Sequence, residues 1–430
     1  MGDLTPDERV RVSQAVARRL RELGARQGWA AEDLSDLVDR ALRDYIGQME
    51  ADPLHGGGVR SEEMRMQALP DLGRGGFAML EAEPPPFDRD DRWADEASRA
   101  REKAYARAGA RVFGNVVDLH EAMEILAPPE HVVKRPEVVA PWAVPLGLRP
   151  DDEPSLDWRK EQLGFAPPSD PTPLSGLTNR IAPTLWSSSE LVRVVSRRGQ
   201  AVTAVEFLRE VMPGAWTFGV GLKVWEDDQR AELRARPGMS RAGLPFHAAA
   251  RWPSLSGRML REASSATSFV SFSLGTWTSR TSQFDGPLAS LGLVEVAPGP
   301  DGWWRLRPSE RGVDLARDLA GTSASCEYPH QDDAWRVLEP MLATSPTGEL
   351  ERMALALAAF VRARTTEEFE QQIVERVPSP TGKALGARAL ATEAGGHLAR
   401  LREMGLVHIG SRRFGEQSIT ERGYRLLDRT

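Results

Sequence analysis

The residues that could carry out catalysis do not form the patterns on which common enzyme chemistry depends. The Asp/Glu-x-Lys sequence typical of nuclease metal sites is absent, and Gly382-Lys383 is followed by Ala384 where a phosphate loop needs a hydroxyl. The sequence contains neither the His-Glu-x-x-His of a zinc peptidase nor the Gly-x-Ser-x-Gly turn that exposes a nucleophilic serine. We therefore predict that the protein is not an enzyme.

Histidine and cysteine do not supply a metal site either. None of the seven histidines has a partner at metal-ligand spacing. Cys326 is the only cysteine, which excludes an intramolecular disulfide and zinc bound by paired cysteines. His55-Gly56-Gly57-Gly58 is similar to an oxyanion loop, yet an ordinary loop is the better interpretation without a nucleophile turn. We expect no metal and no cofactor.

Charge is distributed unevenly along the 430 residues. Residues 1–100 contain 14 basic and 21 acidic residues, and they account for the whole net charge of −7. Residues 378–430 contain nine basic and five acidic residues. Any contact with nucleic acid should therefore be local rather than a property of the whole protein.

The hydropathy pattern predicts a cytoplasmic protein without membrane segments. The longest apolar run, Met353 to Val361, has nine residues, about half of what a membrane span needs. Residues 1–30 lack the apolar stretch of a signal peptide, so we expect none.

Three regions precede the segments that carry a fold signature. Two amphipathic stretches predict a helical hairpin at residues 1–50, which could mediate dimerisation or docking or could pack on the rest of the chain. Residues 51–127 predict an acidic, loop-rich region with helices near residues 91–110 and 116–126. Residues 128–180 contain eleven prolines and scattered tryptophans, which indicates a linker that wraps over a neighbouring domain.

Two capping boxes predict a pair of helices after the Pro-rich segment. Ser187-x-x-Glu190 opens a helix that ends at Gly199, and Thr203-x-x-Glu206 opens a second helix that ends at Pro213. Two capped helices joined by a tight turn have helix-turn-helix form, although any helical corner gives the same pattern.

One sequence signature occurs twice, about 110 residues apart. The first copy comprises Leu288, Leu291-Gly292-Leu293-Val294, Trp303-Trp304, Ser309-Glu310-Arg311-Gly312 and Leu315. The second comprises Leu401, Met404-Gly405-Leu406-Val407, Thr420-Glu421-Arg422-Gly423 and Leu426. Each copy predicts a helix that ends at glycine, then a β-hairpin, then a helix with Ser309 or Thr420 as its N-cap.

This order resembles the winged helix-turn-helix superfamily, in which a recognition helix, a Gly-Leu-Val strand, a wing, a second strand and a closing helix follow one another. The resemblance implies a mainly α fold with small β-hairpins (α+β), with tandem winged-helix domains at residues 181–321 and 322–430. Pro287 predicts that the first recognition helix is short or begins there. Gly395-Gly396 predicts that the second begins only at His397, since each interior glycine costs a helix about 0.5–1 kcal/mol.

The resemblance also implies which residues would contact double-stranded DNA. In the second unit these are His397, Arg400 and Arg402, which we expect on the outer face of the helix, and the wing residues Arg412 and Arg413. In the first unit they are Arg280, Ser282, Gln283, Arg305 and Arg307. Trp303 and Trp304 should point to opposite faces of a strand, so we expect one inside and the other exposed to a protein partner.

Two functions remain open. One is DNA binding, as a regulator or as the DNA-targeting subunit of a multi-protein system. The other is a scaffold or accessory subunit whose winged helices bind partner proteins in a chromosome-organising or phage-defence complex. The tandem units and the basic C-terminal stretch favour the first function. The acidic N-terminal region, the Pro-rich segment and the interrupted recognition helices favour the second, with partners or self-association through the N-terminal helices and the wings.

Overall fold

Helices make up most of the part of the chain that the structure, a computed structural model, describes. The described residues are 91–430 except 114–116, 150–151, 162, 177, 179, 236–248, 250, 256–259, 279–282, 325–327, 379–385, 409–413, 416–417 and 429–430. They belong to one compact unit that spans residues 87–430. The helical hairpin predicted at residues 1–50 lies outside the described residues.

The elements follow one another in an order that places short strands between helices. The α-helices are α1 (Asp91–Phe113), α2 (Leu119–Leu126), α3 (Glu130–Lys134), α4 (Ala182–Arg198), α5 (Ala204–Ala235), α6 (Leu260–Phe269), α7 (Pro287–Ser290), α8 (Glu310–Asp318), α9 (Tyr328–Ala343), α10 (Glu349–Arg362), α11 (Thr366–Arg376), α12 (Ala387–Glu403) and α13 (Glu421–Leu427). The strands are β1 (Val202–Thr203), β2 (Thr276–Thr278), β3 (Gln283–Asp285), β4 (Val294–Pro298) and β5 (Trp304–Pro308), and a π-helix (Val270–Leu274) follows α6. The prediction of a mainly helical α+β fold with small β-hairpins is confirmed.

A three-stranded antiparallel sheet joins the helix pair α4–α5 to the first copy of the signature. Its strand order is β1-β5-β4. Leu306 of β5 pairs with Val202 on one side and with Val296 on the other, and all three side chains are buried. The strand β1 lies between α4 and α5, so this pairing fixes both helices on the hairpin. The strands β2 and β3 form a separate two-stranded sheet.

The second predicted capping box forms as expected. Thr203 Oγ1 accepts the N–H of Glu206 at 3.1 Å, and the Glu206 carboxylate accepts the N–H of Thr203 at 2.8 Å. The predicted end of this helix is wrong, because α5 continues through Pro213 to Ala235. Pro213 removes one helical hydrogen bond, whose acceptor would be the carbonyl of Arg209. Both residues are exposed, so the cost of that missing bond is small.

The first predicted capping box does not form. α4 begins at Ala182, with Pro183 in its first turn, where the missing N–H of proline has no consequence. Ser187 is therefore in the interior of the helix, and its hydroxyl donates to the carbonyl of Pro183 at 2.7 Å. The predicted end at Gly199 is confirmed, since this residue caps α4 with a φ of 67°.

The Pro-rich segment runs along several elements of the unit. Leu146 and Leu148 donate their N–H groups to the carbonyls of Thr322 at 3.0 Å and Ala316 at 2.8 Å. Ala166 exchanges two backbone hydrogen bonds with Val296, at the outer edge of β4. The segment then reaches the second copy of the signature through residues 174–182.

Candidate functional site

The two copies of the signature share the same turn between helix and strand. Gly292 follows α7 with a φ of 68°, and Gly405 follows α12 with a φ of 64°. Glycine adopts this left-handed conformation without steric cost. The N–H of the next leucine bonds to the carbonyl five residues earlier, at 2.8 Å in the first copy and 2.9 Å in the second.

The closing helices α8 and α13 also begin in the same way. The side-chain oxygen of Ser309 accepts the N–H of Gly312 at 3.0 Å, and that of Thr420 accepts the N–H of Gly423 at 3.1 Å. Each hydroxyl donates to the carbonyl of its turn glycine, at 2.8 and 2.6 Å respectively. A Cβ atom on Gly312 would lie 2.4 Å from the carbonyl oxygen of Leu293, and one on Gly423 would lie 2.4 Å from that of Leu406. The repeated sequence therefore marks a repeated local structure.

The arginine of each Glu-Arg-Gly sequence contacts α9, the helix that connects the two copies. Arg311 donates to the carbonyls of Met341 and Thr344, at the C-terminal end of α9. Arg422 lies over the ring of Trp335 in the same helix, 5.6 Å from the ring centroid. A cation at a helix C-terminus and one over an aromatic face are both stabilising. These two arginines connect the copies to one another.

The helix α7, which we predicted to be the first recognition helix, is short and covered. α7 begins at Pro287, as predicted, and all of its residues are buried. Gln283 lies in β3, while Arg280 and Ser282 lie outside the described residues. α7 itself therefore offers no exposed side chain to a DNA groove.

The wing arginines of the first unit are paired with carboxylates. Arg305 contacts Asp301 at 2.5 Å and Glu206 at 3.5 Å. Arg307 contacts Glu295 at 2.8 Å, and its guanidinium lies 4.1 Å from the ring centroid of Phe165. These three carboxylate contacts and the ring of Phe165 occupy guanidinium groups that we expected to bind phosphate.

The wing tryptophans do not divide into one buried and one exposed residue. Trp303 and Trp304 are both half-buried and both pack against the core. The expected exposed tryptophan is thus not present at this wing. The wing residues Arg412 and Arg413 of the second unit lie outside the described residues.

The second recognition helix is longer than predicted, and its polar face is buried. α12 runs without a break from Ala387 to Glu403, so the prediction that it begins at His397 is wrong. His397 is 3% exposed and Arg400 is 2% exposed, which corrects their expected position on the outer face. Arg402 is half-buried, and burial together with the charge of Arg180 lowers its pKa.

Residues 174–176, 178 and 180–182 of the chain cover this face, and we call them the clasp segment. Arg400 donates to the carbonyls of Ser175 at 2.7 Å and Thr178 at 2.5 Å. Glu393, one turn before His397, accepts the N–H of Gly176 at 2.5 Å. The guanidinium of Arg400, which we expected to contact DNA, is thus bound to the backbone of the same chain.

Two further carboxylates bind the ends of the clasp segment. Glu349 in α10 accepts the N–H of Leu174 at 2.9 Å. Glu403, the last residue of α12, accepts the N–H groups of Ile181 and Ala182 at 2.8 and 3.1 Å, and so caps the start of α4. Burial raises the pKa of Glu403, and Arg180 and these two N–H groups oppose that shift.

Glycines explain how the clasp segment approaches the helix so closely. A Cβ atom on Gly396 would lie 2.0 Å from the carbonyl oxygen of Gly176. A Cβ atom on Gly176 would lie 2.2 Å from the Cα atom of Glu393. Neither position accepts a larger residue without moving backbone. Gly396, which we interpreted as part of a helix break, is therefore the position where the backbones of α12 and the clasp segment come into contact.

The buried histidine is neutral in this environment. Arg400 donates to His397 Nδ1 at 3.1 Å, so the ring proton lies on Nε2, which is 3.5 Å from a carboxylate oxygen of Glu393. Burial and the charge of Arg400 lower the pKa of His397 to about 4, although Glu393 opposes the shift. Burial alone would raise the pKa of Glu393, but hydrogen bonds from His397 and Gly176 lower it overall.

Within the described ranges, no three side chains of His, Cys, Asp or Glu lie together in a way that could hold a metal ion. Cys326 lies outside those ranges. No helix among the described residues is long and apolar enough to cross a membrane. Comparison with protein-family models, with curated proteins and with solved structures found no match to this chain.

Proposed function

We propose that this protein is a non-enzymatic scaffold or accessory subunit, built on two winged-helix units, that binds partner proteins. The turn and the capped helix that occur in both copies support the winged-helix assignment, together with the sequence resemblance. The first copy has the hairpin β4–β5, and the described residues of the second copy have one bridge, between Val407 and Ile419. The observation that carries the proposal is the burial of Arg400 and His397 beneath the clasp segment. A helix that reads DNA must present such side chains to the major groove, and here they bind the chain itself.

A different surface has the composition of a protein interface. Val133, Val138 and Trp142 are 48%, 56% and 55% exposed and lie within one stretch of ten residues. This stretch runs along α5, where Val139 donates to the carbonyl of Gly221 at 3.1 Å. Exposed aromatic and aliphatic side chains grouped in this way are typical of sites that bind proteins.

The ring of Trp142 packs against a second tryptophan. The ring of Trp142 meets the ring of Trp225 at 87°, with the centroids 5.7 Å apart, and Trp225 is mostly buried. The exposed indole is therefore held in place before a partner arrives. A rigid aromatic side chain of this kind loses little conformational freedom on binding, which favours its use as an anchor.

The test begins with the tagged full chain, purified from its own cells with nuclease present and washed in 0.5 M salt. We expect a protein that co-elutes at fixed stoichiometry in size-exclusion chromatography. Val138→Ser with Trp142→Ser should release it. Val374→Ser is the matched control, since Val374 is 57% exposed on α11 and should leave the complex intact. Loss of the complex on nuclease treatment alone, or its loss with the control substitution, would contradict the proposal.

The alternative function is sequence-specific DNA binding as a regulator or targeting subunit. The net positive charge of residues 378–430 favours it, and the wing residues Arg412 and Arg413 are the candidates for contact. Selection from a pool of random duplexes separates the two functions. We expect no enriched motif, whereas one enriched motif of defined length would replace the scaffold with a DNA-reading protein.

A further inference from the structure

Helix α1 carries a row of basic side chains along one exposed face. Arg99, Lys103, Arg107 and Arg111 follow one another at intervals of four residues, and all four are exposed. Between residues 98 and 113, Glu102 is the only acidic residue. Residues spaced by four positions are neighbours on a helix surface, so the four charges form one continuous row.

This row differs from the basic side chains on α4 and on the first wing. Arg197, Arg198, Arg305 and Arg307 each contact a glutamate or aspartate. Within the described part of the chain, no ion pair or hydrogen bond joins a side chain of the α1 row to an acceptor. Like charges at this spacing destabilise a helix, and no described carboxylate contacts these four side chains.

The opposite side of α1 anchors the row to the core. Tyr105, Ala108, Val112 and Phe113 are buried and belong to the main hydrophobic core. The helix packs against α2 and α6 through this side. The row is therefore a feature of a fixed surface, and its four charges extend over about 18 Å at the 1.5 Å rise of an α-helix.

The residues among the charges are small. Ala100, Ala106 and Ala110 are exposed on α1, and none of the exposed large apolar side chains of the described residues lies on this helix. Protein interfaces depend on buried aromatic or large aliphatic anchors, which this face lacks. Small side chains beside arginine and lysine instead allow a phosphate backbone to approach closely, and arginine binds phosphate through two parallel N–H groups.

We infer that the exposed face of α1 binds the phosphate backbone of duplex nucleic acid without reading its sequence. This inference does not depend on the proposed function, because α1 lies outside both copies of the signature and outside the stretch of Val133, Val138 and Trp142. It places the attachment to nucleic acid on α1 rather than on α7 and α12, the two predicted recognition helices.

The test is the salt dependence of binding by the full chain to a fluorescein-labelled 30-base-pair duplex. Four phosphate contacts predict a slope of log K against log salt of about −3.6, which is a loss of about 150-fold between 50 and 200 mM salt. An unrelated duplex of the same length should bind equally. Replacing Lys103, Arg107 and Arg111 with alanine should reduce the slope to about −0.9, a loss of only about 3.5-fold over the same range.

The matched control removes the same charge from other exposed positions. Arg317→Ala, Arg364→Ala and Arg425→Ala together should leave the slope at the wild-type value. Alanine favours helix formation, so circular dichroism should show α1 retained in the first triple variant. Three results would overturn the inference: no binding at 50 mM salt, an equal loss of slope in the control, or displacement of the duplex by polyglutamate at equal charge concentration. The last result would reassign the face to an acidic protein.

Discussion

Gly395 and Gly396 are adjacent in α12, yet the structure predicts opposite effects when each is replaced by alanine. A Cβ atom on Gly395 would meet nothing within 4 Å, and this position is exposed. A Cβ atom on Gly396 would lie 2.0 Å from the carbonyl oxygen of Gly176 and 2.4 Å from its Cα atom. The contacting atoms belong to backbone, so no side-chain rotation relieves the overlap.

The expected free energies follow from these surroundings. Gly395→Ala should stabilise the protein by about 0.5–1 kcal/mol, because alanine loses less backbone freedom in a helix. Gly396→Ala has the same gain, but overpacking costs about 1–3 kcal/mol. Displacing Gly176 also strains its hydrogen bond to Glu393, and hydrogen bonds to charged groups contribute about 1.5–3 kcal/mol. The net effect of Gly396→Ala should be a destabilisation of about 2–4 kcal/mol.

Urea unfolding of the full chain, followed by tryptophan fluorescence, measures both variants. The midpoint should rise for Gly395→Ala and fall for Gly396→Ala, with the slope m unchanged in each case. Gly176→Ala should also lower the midpoint, since it meets the backbone of Glu393. The double variant Gly176→Ala/Gly396→Ala should then lose less than the sum of the two losses. If both single variants of α12 move the midpoint in the same direction, the close contact between the two backbones is wrong.

Three further predictions concern the same elements. Between pH 7 and pH 4, the free energy of unfolding of the wild type should fall by up to about 3 kcal/mol more than that of His397→Gln. The pKa of His397 is about 4 in the folded protein, below its ordinary value of 6.5, so the unfolded chain takes up the proton first. Urea midpoints that change by the same amount in both proteins at pH 7, 5.5 and 4 would contradict this prediction. Ser309→Ala and Thr420→Ala should each cost about 1 kcal/mol in the same assay, and a response in only one copy would show that the two caps are not equivalent. Arg305→Ala should leave the salt slope of duplex binding unchanged, because Arg305 already contacts Asp301; a decrease of about one unit in the slope would assign a phosphate contact to the first wing.

The local parts of the fold could be predicted because their contacts span few residues. The capping bonds of Ser309 and Thr420 reach a glycine three residues further along the chain. The positive φ of Gly292 and Gly405 depends on the helix that each one ends. Such interactions recur wherever the same short sequence occurs, so two similar sequences were sufficient to predict two similar local structures.

The errors share a different cause, which is contact between residues far apart in sequence. The start of α4 is capped by Glu403, more than 220 residues away, whereas the closer pattern at Ser187 misled the prediction. Position 396 of α12 requires glycine because the backbone of Gly176, also about 220 residues away, packs against it. One local signal was available for the second case. An isolated glycine pair in an otherwise helical pattern can indicate a close backbone approach rather than a break, and we interpreted it as a break.

The same long-range contacts decide what α12 could recognise even if the clasp segment moved away. Its buried and half-buried side chains include two carboxylates, on Glu393 and Glu403, and two guanidinium groups, on Arg400 and Arg402. His397 adds no charge near pH 7, since its ordinary pKa of 6.5 leaves most of the ring neutral once it is exposed. An uncovered α12 would therefore present a face without net positive charge, which does not attract a phosphate backbone. The carboxylates suit backbone N–H groups of a peptide, and that is what they bind in the clasp segment, so the chemistry of this face favours a polypeptide over DNA in either arrangement.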